Sequence, residues 1–262
     1  MDINLGEKNY LNQMDKIINE LKKHKVYVEN LFILRNGETS NTYLAKQNDK
    51  KIVLKIFKKN YLKININSYL EINVLEQLIQ NKIFPKVITH NQELGILIYE
   101  YVEPLSYKKN KKFISMLGNQ IKKIHGVKVE KDFYCFDEQI EKYKSILGKK
   151  LDKDFQRLHK LITRAKQYKS KICFSHNDLN RDNIIHNKEI YFIDYEYASL
   201  NNIFCDLTRV IQEYSLNNAE INILTNSYGI QNSKDVIDQI EIWTNINTLV
   251  DKIWSEMILK SP

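Results

Sequence analysis

Cysteine is scarce in this chain, and the little there is forms no framework. Cys135, Cys173 and Cys205 are odd in number and widely separated. They match neither a disulfide scaffold nor a metal knuckle, and a reducing, cytoplasmic setting suits them. Long apolar runs are missing too. A stretch such as "ILIYEYV" falls far short of the roughly 20 residues needed to span a bilayer, so membrane insertion is not expected. The opening "MDINLGEKNY" lacks the basic region and apolar core of a secretory signal. There is no internal repeat and no low-complexity linker. Glycine is sparse, and the turn "NGETSNTY" holds one glycine where a G-x-G-x-x-G phosphate loop would hold three.

What is present describes a globular protein: 43% hydrophobic and 27% charged residues over 262 positions, enough for one domain or two lobes. The net charge of +8 raises the question of nucleic acid. The basic run "KKNKK" (108–112) is short and has no interleaved aromatic ladder, so a lysine-rich surface around a site for an anionic ligand is the better reading, and no nucleic-acid partner is expected.

Periodicity divides the chain in two. Leu11, Met14, Ile17, Ile18 and Leu21 have helical spacing. The strand-like runs "VYVENLFIL", "NTYLAK" and "KIVLKIF" follow, joined by the turns "RNGETS" and "QNDK" as in antiparallel hairpins. A helix is predicted through "INSYLEINVLEQLIQ" up to Pro85, then strands in "KVITH" and "LGILIYEY". From about Pro104 helical patterns dominate, in "FISMLGNQIKKIH", "FDEQIEKYKSIL", "FQRLHKLITRAKQY" and the stretch ending "LVDKIWSEMILK". The expectation is an α+β architecture: an antiparallel-sheet lobe with one main helix over 1–102, and a mostly helical lobe over 103–262.

The chemistry concentrates in "KICFSHNDLNRDNII" and "EIYFIDYEYA". His176, Asp178, Leu179 and Asn183 have the H-x-D-L-x-x-x-N form of a phosphoryl-transfer loop. An Asp on a rigid loop can take the proton of an attacking hydroxyl. An Asn five residues on can offer its amide oxygen to Mg²⁺, and Asp194, ending the next strand, can offer a carboxylate. Each residue alone reads as a turn or cap residue. Together, without a counterion, the carboxylates would be unfavourable neighbours. In the first lobe Lys55 sits mid-strand among apolar residues, so it lies either on a wet sheet face or beside a partner. Glu71, on the predicted helix, is a candidate for that partner, and a Lys–Glu pair would aim the ammonium at ATP phosphates. Thr39, Ser40 and the turn amides could cover those phosphates.

The block "FSHNDLNRDNII…IYFIDYEYASLNNIFCDLTRVIQEY" resembles the choline/ethanolamine kinase family, within the aminoglycoside-phosphotransferase-like kinases. Asn177 between His and Asp, the "IDYEYAS" strand, and Glu213–Tyr214 seven residues past Asp206 carry the likeness, which extends from "SNTY" to "IWSEM". It implies a two-lobed kinase-like fold and an ATP- and Mg²⁺-dependent kinase acting on the hydroxyl of choline or ethanolamine, as a monomer or homodimer. It also implies site roles. Asp178 would be the base or orienter, Asn183 and Asp194 the Mg²⁺ ligands, and Lys55 with Glu71 the phosphate contact. Ser40, and backbone groups of Glu100 and Val102, would meet ATP. Glu213, Tyr197 and Trp254 would meet the substrate's cationic nitrogen. The family's W-x-x-W is broken, with Asp251 at its first position, where a carboxylate would tune the preferred cation or point into solvent. Trp243 is expected in the core. An aminoglycoside or thiamine kinase and a non-catalytic scaffold are the alternatives. The absence of D-F-G and A-P-E segments argues against a protein kinase.

Overall fold

A computed structural model describes residues 5–37, 39–58, 71–130 and 133–260. It divides into two units, Met1–Tyr61 with Pro85–Tyr101, and Leu62–Phe84 with Val102–Pro262.

The first unit is built on an antiparallel five-stranded sheet in the order β1-β2-β3-β5-β4. Its strands are β1 (Glu29–Asn36), β2 (Ser40–Gln47), β3 (Lys50–Phe57), β4 (Val87–Asn91) and β5 (Ile96–Glu100). The expected β2–β3 hairpin is present. Asn48 and Asp49 both take positive φ (49° and 60°), which matches the right-handed twist of the flanking strands. Alternation along β3 sends Ile52 and Leu54 to one face, where they join a core containing Tyr43, Ala45, Ile96 and Ile98. Helix α1 (Leu5–Lys23) closes that core with Met14 and Leu21. Val53 and Lys55 therefore point to the opposite face.

The second unit holds the remaining helices and two small two-stranded sheets, β6–β9 and the β7–β8 hairpin: α2 (Ile72–Gln80), α3 (Lys111–Ile124), α4 (Phe136–Leu147), α5 (Asp152–Ala165), β6 (Ile172–Ser175), β7 (Ile184–His186), β8 (Ile190–Phe192), β9 (Ser199–Asn202), α6 (Phe204–Glu213), α7 (Asn218–Tyr228) and α8 (Lys234–Lys260). Placing α2 here differs from the expected lobe boundary at residue 102. The reason is hydrogen bonding. Gln77 and Lys128 exchange two bonds of 2.9 Å, Gln120 Nε2 donates to Lys82 O at 2.6 Å, and Phe192 N donates to Ile83 O at 2.8 Å. The helix also starts later than its pattern suggested. Glu71 is its N-cap with ψ 147°, and the stretch before it, 66–70, lies outside the described residues.

Helix α3 buries Phe113, Leu117, Ile121 and Ile124 at i, i+3 and i+4 spacing and is capped by the Asn110 side chain on Phe113 N. Gly118 allows α7 to approach: a Cβ there would lie 2.4 Å from Leu224 O. The apolar stripe Ile242, Trp243, Ile246, Leu249, Ile253 and Met257 of α8 is buried, which places Trp243 in the core as expected. Among the described residues no helix is long and apolar enough to cross a membrane.

Candidate active site

The motif loop leaves β6 at His176 and re-enters a strand at Ile184. Asp206, fully buried on α6, fixes its start. The carboxylate accepts from His176 N and Asn177 N, both at 2.8 Å, and faces His125 Nε2 at 3.1 Å. Burial works to raise the Asp206 carboxyl, but these bonds and the His125 ring hold it below its ordinary range. His125 is itself anchored by Tyr228 OH at 2.8 Å through Nδ1. Asn177 adopts φ +65°, a left-handed conformation that Asn tolerates. Its Nδ2 donates to Tyr197 O and Ser199 Oγ, both at 2.7 Å, which ties the loop to the segment after Asp194.

His176 donates from Nε2 to Ile193 O at 2.9 Å, so its Nδ1 is left to accept from Asp178 N at 3.3 Å. The ring is thereby set in one neutral tautomer. Asp178 accepts from Asn180 Nδ2 at 3.0 Å and from Asn183 Nδ2 at 2.9 Å. Burial pushes its carboxyl above the ordinary Asp range, against the opposing pull of the Arg209 guanidinium.

Asn183 is buried, and while its Nδ2 serves Asp178, its Oδ1 has no hydrogen-bond partner among the described residues. A buried amide oxygen left open in this way is the kind of ligand a hard cation takes. The β7–β8 hairpin brings Asp194 near, because Ile193 N donates to Asn183 O at 3.0 Å. Asp194 holds φ 71°, ψ 58°, a strained conformation for a non-glycine residue. These two residues fit a Mg²⁺ site. No cluster of three or more His, Cys, Asp or Glu suited to a metal occurs among the described residues, so phosphate and water oxygens would complete its shell.

Beside Asp178 lies a cavity of about 70 Å³. Tyr143, Tyr197 and Trp254 wall it: the Trp254 ring stands 5.1 Å from Tyr197, edge to face, and 6.1 Å from Tyr143. Asp251 also borders it, more than half exposed to solvent but not a free carboxylate. Its two oxygens take Arg209 Nη1 and Nη2 at 2.7 and 2.6 Å, a bidentate pair formed because Arg209, only 8% exposed on α6, needs a counter-charge. Glu213 does not line the cavity; it ends α6, facing Arg181 N at 3.4 Å, while Arg181 Nε donates to Glu213 O at 2.8 Å. Arg209 and Tyr143 were not anticipated. A larger groove of about 360 Å³ at Tyr107, Lys112 and Lys188 contains none of the motif residues.

The expected nucleotide contacts of the sheet unit are placed as follows. Ser40 begins β2, buried, with its carbonyl accepting from Gly37 N at 3.0 Å. Lys58 reaches back to Gly37 O at 2.6 Å and braces that turn. Lys55 is buried, its Nζ 5.0 Å from the Phe57 ring centroid. Glu100 ends β5, and its amide is donated to Lys86 O at 2.9 Å. Glu71 and Val102 belong to the other unit, Glu71 exposed at the start of α2.

Comparison with known proteins bears on the family and the fold. The family described as choline/ethanolamine kinase matches residues 24–241. A "Protein LicA homolog" of Mycoplasma capricolum is 26% identical over 137 residues, 51% of this chain and 56% of that protein, so the match spans little more than half of its relative. The crystal structure of choline kinase LicA from Streptococcus pneumoniae superposes with a TM-score of 0.77 at 24% identity, covering 94% of this chain and 90% of that one. A structure of LicA in complex with AMP gives 0.74 at 22% identity, with coverage of 94% and 90%. The fold is therefore kinase-like, a sheet unit followed by a helical unit.

Proposed function

The chain belongs to the choline/ethanolamine kinase family, and on that premise we propose that it is a small-molecule kinase, moving the γ-phosphate of ATP, with Mg²⁺, to the hydroxyl of a small amino alcohol, choline before ethanolamine. One observation carries the reading: Asp178 borders a cavity walled by Tyr143, Tyr197 and Trp254. A quaternary ammonium donates no hydrogen bond, so aromatic faces are its natural partners. A volume of about 70 Å³ suits a head group better than the linked rings of an aminoglycoside.

Asp178 accepts the proton of the substrate hydroxyl, and its burial makes it the stronger base for that task. Asn183 Oδ1 and the Asp194 carboxylate would hold Mg²⁺, which when bound would neutralise phosphate charge. Asp206 and Asn177 keep the loop still while the hydroxyl is aligned, and such positioning is where much of the rate in phosphoryl transfer originates. Nucleotide contacts are assigned to Ser40, Lys55, Glu71, Glu100 and Val102.

The test is coupled ADP release with choline, ethanolamine, thiamine and aminoglycosides as acceptors. Choline and ethanolamine should turn over. Turnover of an aminoglycoside or thiamine with neither amino alcohol would replace the substrate. Nucleotide binding without turnover of any acceptor would make the chain a scaffold.

A further inference from the structure

We infer that the Arg209–Asp251 pair selects which cation the cavity accepts: by engaging both oxygens of Asp251, Arg209 leaves the aromatic faces as the main attraction and so favours a fully methylated nitrogen over a primary ammonium. This rests on the amino-alcohol reading above and deepens it.

An arginine at a cation-binding cavity is at first sight misplaced, since alone it would repel the ligand. Arg209 is tolerable there because α8 sets Asp251 against it, two parallel bonds of 2.6 and 2.7 Å cancelling one charge with the other. The cancellation works in both directions. Asp251, whose side chain is 54% exposed, would otherwise offer a carboxylate to any ammonium that entered.

Several of the remaining acceptors around the cavity are already engaged, whereas Gln139, which also lines it, uses only its Nε2, donating to Tyr143 Oη at 2.6 Å. Asn177 Oδ1 accepts from Asn201 Nδ2 at 2.8 Å and from Cys205 Sγ at 3.3 Å. Asn247 Oδ1 faces Cys205 Sγ at 3.6 Å. The two Asp178 oxygens take Asn180 and Asn183. A primary ammonium brings three N–H donors, each of which costs free energy if it loses water and finds no acceptor. A trimethylated nitrogen brings none, and it gains from Tyr143, Tyr197 and Trp254 whatever Asp251 is doing. The pair therefore discriminates by withholding an acceptor, which is specificity by disfavouring the competitor.

The test uses two readouts on the full chain: tryptophan-fluorescence titration with tetramethylammonium and methylammonium, and kcat/KM for choline and ethanolamine. Arg209→Met frees Asp251, and the choline-to-ethanolamine ratio of kcat/KM should fall about tenfold. Asp251→Asn leaves Arg209 unopposed, and both cations should bind more weakly. The double variant Arg209→Met/Asp251→Leu removes charge and acceptor together, and it should regain choline binding relative to Asp251→Asn and restore the preference lost in Arg209→Met, a non-additivity that mere loss of packing does not produce. A ratio within about twofold of the unmodified protein in a folded, active Arg209→Met overturns the inference. If that variant does not fold, an Asp251→Asn protein that binds both cations normally overturns it equally. A protein whose variants shift the preference between the two ammonium probes as described, yet which releases no ADP with either alcohol, upholds the pair's role and overturns the amino-alcohol reading instead.

Discussion

Asp206→Asn tests whether the active-site loop is held from beneath by one carboxylate. In the native arrangement Oδ1 takes Asn177 N, while Oδ2 takes His176 N and faces His125 Nε2. An amide in the same place keeps one acceptor. It can continue to serve Asn177, but its NH₂ then confronts the His176 N–H, donor against donor. His125 can adapt by changing tautomer; the His176 amide cannot. The loss is one charge-assisted bond, about 1.5–3 kcal/mol, together with a backbone N–H buried without a partner, about 1–3 kcal/mol. A destabilisation of about 3–5 kcal/mol follows, a large share of the 5–15 kcal/mol typical of a domain. Urea unfolding measures it through the midpoint at constant slope. The folded fraction should also turn over more slowly, by about 10²-fold, because Asp178 follows His176 on the same loop. Acid provides a second check. Asp206 is held below its ordinary value of 3.8, so its contribution is present above that pH and is lost as pH falls through the lower folded value. The difference between the two proteins should therefore shrink in acid. A change below about 1 kcal/mol at neutral pH, with unaltered turnover, would refute the idea that this carboxylate holds the loop.

Asp178→Asn should retain ATP binding and lose about 10²–10⁴ in kcat, and should abolish the acid limb of the kcat/KM profile, which burial places at a higher pH than an exposed Asp would give. A folded variant with near-normal turnover would remove Asp178 from the mechanism. Asp194→Ala should abolish the Mg²⁺ dependence of nucleotide binding seen by calorimetry, because it removes a full charge; unchanged dependence would place the ion elsewhere. Asn183→Ala should lower kcat even at saturating Mg²⁺, because Asn183 Nδ2 also restrains Asp178 at 2.9 Å; full rescue by excess Mg²⁺ would reduce it to a ligand alone. Gly118→Ala should cost about 1–3 kcal/mol in urea unfolding, since its Cβ would meet Leu224 O at 2.4 Å; the gain expected from helix propensity, up to about 1 kcal/mol, would instead show that α3 and α7 can part.

Most of the architecture was legible because its signals are local. The spacing of Met14, Ile17, Ile18 and Leu21 marked α1, the "QNDK" turn marked a hairpin, and the loop from His176 to Asn183 announced its own chemistry through the order of its side chains. Strand β9 was not legible. "SLNN" has no apolar alternation, and it is a strand only because β6 offers it a partner, Ser175 opposite Ser199 and Ile172 opposite Asn202. The start of α2 at Ile72 was not legible, because apolar spacing in "INSYL" continues upstream of Glu71, whose backbone is extended; 66–70 themselves lie outside the described residues. Spacing records which residues could share a face, not where the first turn is anchored.

Asp251 is the harder case, because its ion-pair partner lies far away in the sequence. Considered alone, an Asp on a polar helix face either meets a ligand or meets solvent, and nothing within four residues decides between them. The deciding residue is Arg209, 42 positions earlier, and it carried a signal of its own. The segment "FCDLTRVIQE" buries Phe204, Cys205, Leu207, Val210 and Ile211, so its charged members cannot be solvated by default. A helix buried nearly all round that buries one acid, Asp206, and one base, Arg209, must find each a partner elsewhere in the fold. Asp206 finds two loop amides and His125; Arg209 finds Asp251. Burial of α6 thus sets two features of the site: one charge holds the loop that carries Asp178, and the other pairs with the Asp251 carboxylate beside the aromatic cavity.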